Sequence, residues 1–131
     1  MFKMIMLVKR KKGLSREAFL RHWQAHSASV MAYREVLRIR RYTKTLPVAA
    51  PQEHASGLAI QRTPSSFDWD AMGEIWYDSQ ADFLQVRATQ AARQALARLH
   101  ADERTFVDME ASVLWFGEET AVIRHESDCP R

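Results

Sequence analysis

One histidine of the sequence stands where an imidazole could carry out acid–base chemistry. Apolar residues at steps of three and four predict one buried stripe of a helix. The stripe consists of Phe19, Trp23, His26, Val30 and Tyr33. His26 lies about 20° from the centre of the stripe at 100° per residue, whereas His22 lies roughly 60° from it. Loss of water at this position favours the neutral imidazole, so we predict His26 as a catalytic base near pH 7. The competing interpretation is a core histidine hydrogen-bonded to a backbone carbonyl or to water.

The four-residue spacing of His22 and His26 is also that of the two histidine ligands in zinc proteases. Trp23 occupies the position where those enzymes carry their general-base glutamate. A catalytic zinc site needs a third protein ligand, which His54 or His100 could supply only through tertiary proximity. The sequence also contains no glycine-rich phosphate loop, no nucleophile elbow and no CxxC motif. We therefore predict neither a metal nor a cofactor.

Aromatic residues are numerous for so short a chain, and three of them are candidate walls of a binding pocket. Trp23, Tyr42 and Trp76 are predicted to bind a flat apolar molecule, although such side chains are more often simply core. The hydroxyl of Tyr42 could orient a phenol or a carbonyl beside His26. We expect this site within each subunit, between the first helix and the sheet.

Acidic residues offer a second set of titratable groups. Glu74 lies among apolar residues of a predicted strand, where its pKa would be raised and it could shuttle a proton. An ion pair with Arg40 or Arg41 on another strand is the alternative interpretation. Asp102 and Glu103 are interpreted as charges at a helix end.

The elements that position these residues follow from hydrophobic periodicity and helix caps. Strands are predicted at residues 2–9, 38–48, 67–78 and 109–118, with a long loop at residues 51–66. Ser15 is the predicted N-cap of a helix over residues 16–34, and Ser79 starts a second helical region that breaks near Thr89. Pro47 predicts an edge position for the second strand, because proline donates no hydrogen bond to a sheet.

The resulting order, βαββαβ, predicts an α+β, ferredoxin-like domain with a four-stranded antiparallel sheet over residues 1–119. Residues 120–131 are expected to form a tail. Two helices cover only one face of such a sheet, yet the first and last strands carry apolar residues on both faces. We therefore predict a homodimer in which two subunits pack sheet to sheet as a dimeric α/β-barrel.

Composition excludes several classes of protein. The 131 residues are 47% hydrophobic and 27% charged, so the chain is neither collagen-like nor wholly disordered. No apolar run is long enough for a membrane span, and the net charge of +3 does not require a polyanionic partner. The acidic third strand disfavours RNA binding. The apolar start followed by a basic run is the reverse of a secretory signal, so we expect a cytoplasmic protein.

The order and spacing of several short motifs resemble those of the EthD domain family over roughly residues 1–119. The motifs are Phe2-Lys3-Met4-Ile5, Lys9-Arg10-Lys11, Gly13-Leu14-Ser15-Arg16-Glu17-Ala18-Phe19, His22-Trp23 with His26, Arg41-Tyr42, Gly73-Glu74-Ile75-Trp76-Tyr77-Asp78-Ser79, Asp102-Glu103 and Glu118-Glu119. The resemblance implies a dimeric α/β-barrel, and a helix histidine like His26 lines the pocket in related barrels.

The superfamily that this resemblance indicates includes polyketide cyclases, cofactorless monooxygenases and muconolactone isomerases. The expected function is therefore binding of a small hydrophobic molecule of aromatic, phenolic or lactone-like character. Cofactor-free proton transfer in a catabolic or secondary-metabolic pathway is the catalytic form of this expectation. The alternative is a non-catalytic ligand-binding or accessory protein of a degradation pathway.

Overall fold

The computed structural model describes residues 1–48 and 68–125, which form four strands and three helices. In chain order these are β1 (Phe2–Val8), α1 (Arg16–Ala32), β2 (Arg41–Thr45), β3 (Ala71–Tyr77), α2 (Gln80–Arg87), α3 (Gln90–Glu103) and β4 (Val113–Glu118). The predicted loop at residues 51–66 lies outside the described residues.

The four strands form one sheet in the order β2-β3-β1-β4, and every neighbouring pair is antiparallel. This order confirms the predicted α+β, ferredoxin-like fold with a four-stranded antiparallel sheet. It also confirms that β2 is an edge strand, as Pro47 indicates.

Short polar side chains begin each helix where the sequence predicts it. The hydroxyl of Ser15 accepts a hydrogen bond from the backbone N–H of Ala18 at 3.1 Å. The hydroxyl of Ser79 accepts one from the backbone N–H of Asp82 at 3.0 Å. Thr89 caps α3 in the same way at 3.2 Å. The predicted break near Thr89 is therefore confirmed, and it divides the second helical region into α2 and α3.

Three strands begin later than predicted: β2, β3, which starts at Ala71 and not at residue 67, and β4. For β2 and β4 the structure shows a local reason. Arg38 has φ +53°, a left-handed conformation that ends the turn after α1 and cannot belong to a strand, so β2 starts at Arg41. The carboxylate of Asp108 accepts from the backbone N–H of Ala111 at 3.1 Å, which closes a turn. This turn delays β4 until Val113.

The sheet has one face covered by helices and one open face. Alternation puts Met4, Met6 and Ile75 on the helix-covered face, where Phe19 and Trp23 of α1 and Leu99 of α3 complete the core. The opposite residues, among them Ile5, Glu74, Trp76 and Trp115, lie on the open face.

The edge strand β4 is the least covered part of the sheet. Its residues Val113, Leu114, Trp115 and Phe116 are 41%, 53%, 49% and 47% exposed, although all four are apolar. No helix within residues 1–48 and 68–125 has the length and apolar character needed to cross a membrane.

Candidate functional site

A cavity of about 180 Å³ lies between the sheet and the helices α1 and α3. Its lining is mainly apolar and includes Met4, Met6, Val30, Ile75 and Phe106. His26, Glu103, Tyr42 and Arg87 are among the polar residues that reach it. The exposed strand residues Val113 and Leu114 also line the cavity, so it opens toward β4.

His26 is buried and is held between two carboxylates. Only 5% of the residue is exposed. Its Nδ1 atom lies 2.7 Å from Oδ2 of Asp102, and its Nε2 atom lies 3.5 Å from Oε1 of Glu103. Glu103 lines the cavity and Asp102 does not, so the Nε2 edge of the ring is directed to the cavity. The ring also packs on Phe106, with centroids 5.4 Å apart.

The two carboxylates reverse the predicted direction of the pKa shift of His26. Burial lowers the pKa of His26, but hydrogen bonds and charge from Glu103 and Asp102 raise the pKa by more, so it lies above its ordinary value of 6.5. Carboxylates facing both ring nitrogens favour the form in which both carry protons. The prediction that burial lowers the pKa of His26 is therefore wrong in direction, because the two carboxylates raise it instead.

Asp102 and Glu103 are partners of His26 that the sequence did not reveal. They do stand at the end of α3, as interpreted, but their carboxylates pair with a histidine 76 residues earlier in the chain. The available signal is the Asp102-Glu103 pair at the end of a helix that must pack beside α1. The alternative interpretation named a backbone carbonyl or water as the partner of a core histidine, whereas the partners in the structure are two carboxylates.

Trp23 and Tyr42 meet at the wall of the same cavity. Nε1 of Trp23 donates a hydrogen bond to the hydroxyl of Tyr42 at 3.2 Å, and both residues line the cavity with His26. Burial raises the pKa of Tyr42, although hydrogen bonds with Ser27 and Trp23 lower it, and the net pKa is above 10.0. Tyr42 is thus a neutral phenol that presents its O–H group within a largely apolar wall.

Trp76 is not part of this wall, contrary to the prediction. It lies on the open face of the sheet, because the alternation of β3 that turns Ile75 and Tyr77 toward the helices turns Trp76 away from them. Lys3 and Arg41 lie over its ring, 5.0 and 4.8 Å from the centroid.

Glu74 also lies on the open face, where Lys3 is an ion-pair partner that the sequence did not indicate. Nζ of Lys3 lies 2.7 Å from a carboxylate oxygen of Glu74 and 3.3 Å from one of Glu119. The strand register explains why Lys3 is the partner. Glu74 lies opposite Ile5, which is two residues from Lys3 on the same face of β1. Glu74 thus belongs to a three-residue cluster around Lys3, while Arg40 pairs with Asp78 at 3.3 Å.

The candidate metal ligands are not brought together. His22 is exposed and stacks on Phe106 with centroids 5.9 Å apart, while His26 points inward. Within residues 1–48 and 68–125, no group of three histidine, cysteine or acidic side chains could hold a metal ion. His54 and Cys129 lie outside the described residues.

Two side chains that line the cavity, those of Met6 and Trp23, lie against a glycine of β3. A Cβ atom at Gly73 would lie 3.0 Å from Cε of Met6 and 3.6 Å from Cζ2 of Trp23. Glycine therefore lets both side chains lie directly on β3.

Comparisons with known proteins place the chain in a family. The EthD domain matches residues 11–110. A structure described as an ethyl tert-butyl ether D (EthD) family protein from Bacillus halodurans C-125 is 21% identical, with 92% of this chain and 99% of that chain covered and a TM-score of 0.61. An EthD-like protein from Ralstonia eutropha JMP134 is 19% identical, with 96% of each chain covered and a TM-score of 0.53.

A dimeric protein of unknown function with a ferredoxin-like fold, from Bacteroides fragilis, is 13% identical, with 90% of this chain and 95% of that chain covered and a TM-score of 0.55. No curated protein sequence matches the chain. These similar structures support the fold, and the domain match covers most of the sequence. The chain belongs to the EthD domain family.

Proposed function

We propose that the cavity binds a small, mostly apolar molecule through a carbonyl or phenolic oxygen and that His26 and Glu103 transfer protons on it without a cofactor. The observation that carries the proposal is the loose 3.5 Å contact between Nε2 of His26 and Glu103 inside the cavity. A contact of this length is a poor hydrogen bond, so a ligand oxygen can take the Nε2 proton in its place.

The two side chains form an acid–base pair suited to a carbon next to a carbonyl group. The carboxylate of Glu103 removes a proton from that carbon, and the His26 imidazolium delivers its Nε2 proton to the carbonyl oxygen. The product is the enol, with His26 neutral and Glu103 protonated. Asp102 holds the imidazolium through Nδ1 at 2.7 Å, and the O–H group of Tyr42 can donate to the same oxygen.

Cavity size and lining define the class of ligand. An engineered cavity of about 150 Å³ in another protein accepts benzene, so about 180 Å³ suits a single aromatic ring with a short substituent. Methionine side chains at positions 4 and 6 adapt to irregular shapes. These features support aromatic, phenolic or lactone-like ligands.

We also infer that the chain forms a homodimer through its open sheet face. Trp115 is 49% exposed and Val113 is 41% exposed on this face, beside buried Ile5. Exposed apolar residues on adjoining strands mark an interaction surface. Two similar structures, from Bacteroides fragilis and Thermobifida fusca, are described as dimeric.

Deuterium exchange at the methyl group of acetophenone tests the proposed chemistry directly. The protein in D₂O at pH 7 should accelerate loss of the methyl proton signal in NMR spectra. His26→Phe and Glu103→Gln should each reduce the acceleration by about 10²- to 10⁴-fold, the usual contribution of a general acid or base. His22→Phe changes an exposed histidine one turn away on the same helix and should leave the rate unchanged.

Binding and turnover are separated by the same sample. Acetophenone bound in the cavity should shift the indole N–H resonance of Trp23, which bonds to Tyr42. A shifted Trp23 resonance without accelerated exchange would reject proton transfer and favour the non-catalytic ligand-binding alternative. If the Trp23 resonance does not shift and exchange is not accelerated, the cavity is rejected as a site for aromatic carbonyl compounds.

A further inference from the structure

Arg87 brings a positive charge to the lining of the cavity that His26 also lines. It is the last residue of α2, and its guanidinium carbon lies 3.6 Å from the centroid of Phe83 and 5.5 Å from that of Tyr77. Both aromatic residues are buried. The guanidinium therefore lies in an apolar environment beside the ligand space.

One nitrogen of this guanidinium has no hydrogen-bond partner among the described residues. Nη1 of Arg87 is buried and unpaired, and none of the ion pairs within residues 1–48 and 68–125 involves Arg87. Its polar contact is with the hydroxyl of Tyr77, a neutral group. A buried guanidinium nitrogen that lacks a partner among the described residues is costly in a folded protein, which points to a partner that arrives with the ligand.

Strand β3 shows the length over which the lining of the cavity extends. Gly73 lies under Trp23, and Tyr77 lies at Arg87. Four strand residues of roughly 3.3 Å separate these positions by about 13 Å. The space between them is lined by apolar side chains such as Ile75, Leu96 and Leu99.

We propose that the natural ligand is an anion whose carboxylate pairs with Nη1 of Arg87 while its apolar body extends toward His26. Guanidinium is the side chain whose planar donors match a carboxylate best, and pairing inside an apolar pocket is strong. This inference rests on the proposed ligand-binding role of the cavity. It makes Arg87 a residue that determines specificity and leaves proton transfer to His26 and Glu103.

The test compares two probes that differ only in charge, phenylacetate and phenylacetamide. Titration into the intact protein at pH 7, followed by NMR of the Trp23 indole and by calorimetry, should give binding of phenylacetate at least 10-fold tighter than binding of phenylacetamide. Arg87→Gln should abolish this preference by weakening phenylacetate alone. Arg93→Gln, an exposed arginine on α3, is the matched control and should keep the preference.

Each remaining outcome contradicts the inference in a recognisable way. Equal binding of both probes by the unchanged protein would mean that solvent satisfies Arg87, and the carboxylate assignment would fail while the aromatic site survived. Retention of the preference in a folded Arg87→Gln protein would place the anion elsewhere. If neither probe binds while acetophenone still shifts Trp23, the anion is rejected and the proposed function stands.

Discussion

Two clusters on opposite faces of one sheet are built alike, each from a cation between two carboxylates. On the helix-covered face, His26 lies 2.7 Å from Asp102 and 3.5 Å from Glu103. On the open face, Lys3 lies 2.7 Å from Glu74 and 3.3 Å from Glu119. The cations differ in kind, because a lysine with a raised pKa stays charged throughout the neutral range, whereas a histidine with a raised pKa can still give up its proton.

Surroundings separate the two clusters as well. The His26 cluster borders a cavity, so its proton can reach a ligand. The Lys3 cluster surrounds Trp76, whose Nε1 donates to Glu119, and it fixes that side chain on the sheet. The same charge pattern therefore borders a cavity on one face, where we propose proton transfer, and holds an aromatic side chain on the other.

The largest expected effect concerns what covers the open face. Trp115→Glu should convert the dimer to a monomer, because association would then bury an unpaired carboxylate at a cost of at least about 3 kcal/mol, roughly a hundredfold in Kd. Light scattering at micromolar concentration measures the mass. Leu84→Glu, at a position 58% exposed on α2, should leave the dimer intact. A monomeric mass for the unchanged protein would refute the interface itself.

The next effect compares removal of the two cations. His26→Phe should lower the free energy of unfolding by about 2 kcal/mol, less than for a fully buried pair because Asp102 is 45% exposed. Lys3→Met should cost about 1 kcal/mol, because Arg41 still lies beside Trp76. Urea unfolding at pH 6, where His26 is charged, measures both. If Lys3→Met lowers the free energy of unfolding more than His26→Phe does, the Lys3 cluster and not the His26 cluster stabilises the fold more.

A smaller effect is the dependence of stability on alkaline pH. Because the folded protein raises the pKa of His26, the stabilisation is complete below about pH 6.5 and is lost as pH rises through the raised pKa. The unfolding free energy should therefore fall between pH 6 and pH 9. A double variant, Asp102→Asn with Glu103→Gln, should lose that slope. A slope unchanged in the double variant would assign it to other groups.

The smallest effect is the acid counterpart on the open face. The hydrogen bond from Trp76, together with Lys3, lowers the pKa of Glu119 below 4.5. Its stabilisation is present above that value and is lost as pH falls through the lowered pKa. Glu119→Gln should flatten the acid limb of the stability curve by no more than about 1 kcal/mol, since the side chain is 34% exposed. Glu118→Gln, at 71% exposure, should leave the limb unchanged.

Local signals account for what the sequence predicts well. Period-two strands and hydroxyl caps such as Ser15 depend on neighbours within a few residues, so the elements and their order could be predicted. The inward position of His26 followed from the helix phase, and proximity of Trp23 to Tyr42 followed from the expected packing of α1 on the sheet.

Long-range pairing accounts for what the sequence does not predict. The partners of His26 come 76 residues later, and nothing local indicates that they turn toward α1. Without them, burial alone predicts a lowered pKa for His26, whereas the carboxylates raise it. The alternation of β3 separated Trp76 from Ile75, but which of the two sides faces the helices depends on how the whole sheet is covered.

Gly73 gives this site a simple route to inherited change. A single nucleotide substitution converts a glycine codon to an alanine codon, and the added methyl group would press on the flexible end of Met6, 3.0 Å away, with no backbone in its path. We expect Gly73→Ala to keep its melting temperature while losing the bulkier members of a series of alkyl-substituted acetophenones, because Met6 is displaced into the cavity. If Gly73→Ala instead fails to fold, Met6 cannot move away from the added methyl group. Members of a lineage could thus change the size of the ligand that the cavity accepts without changing His26 or its two carboxylate partners.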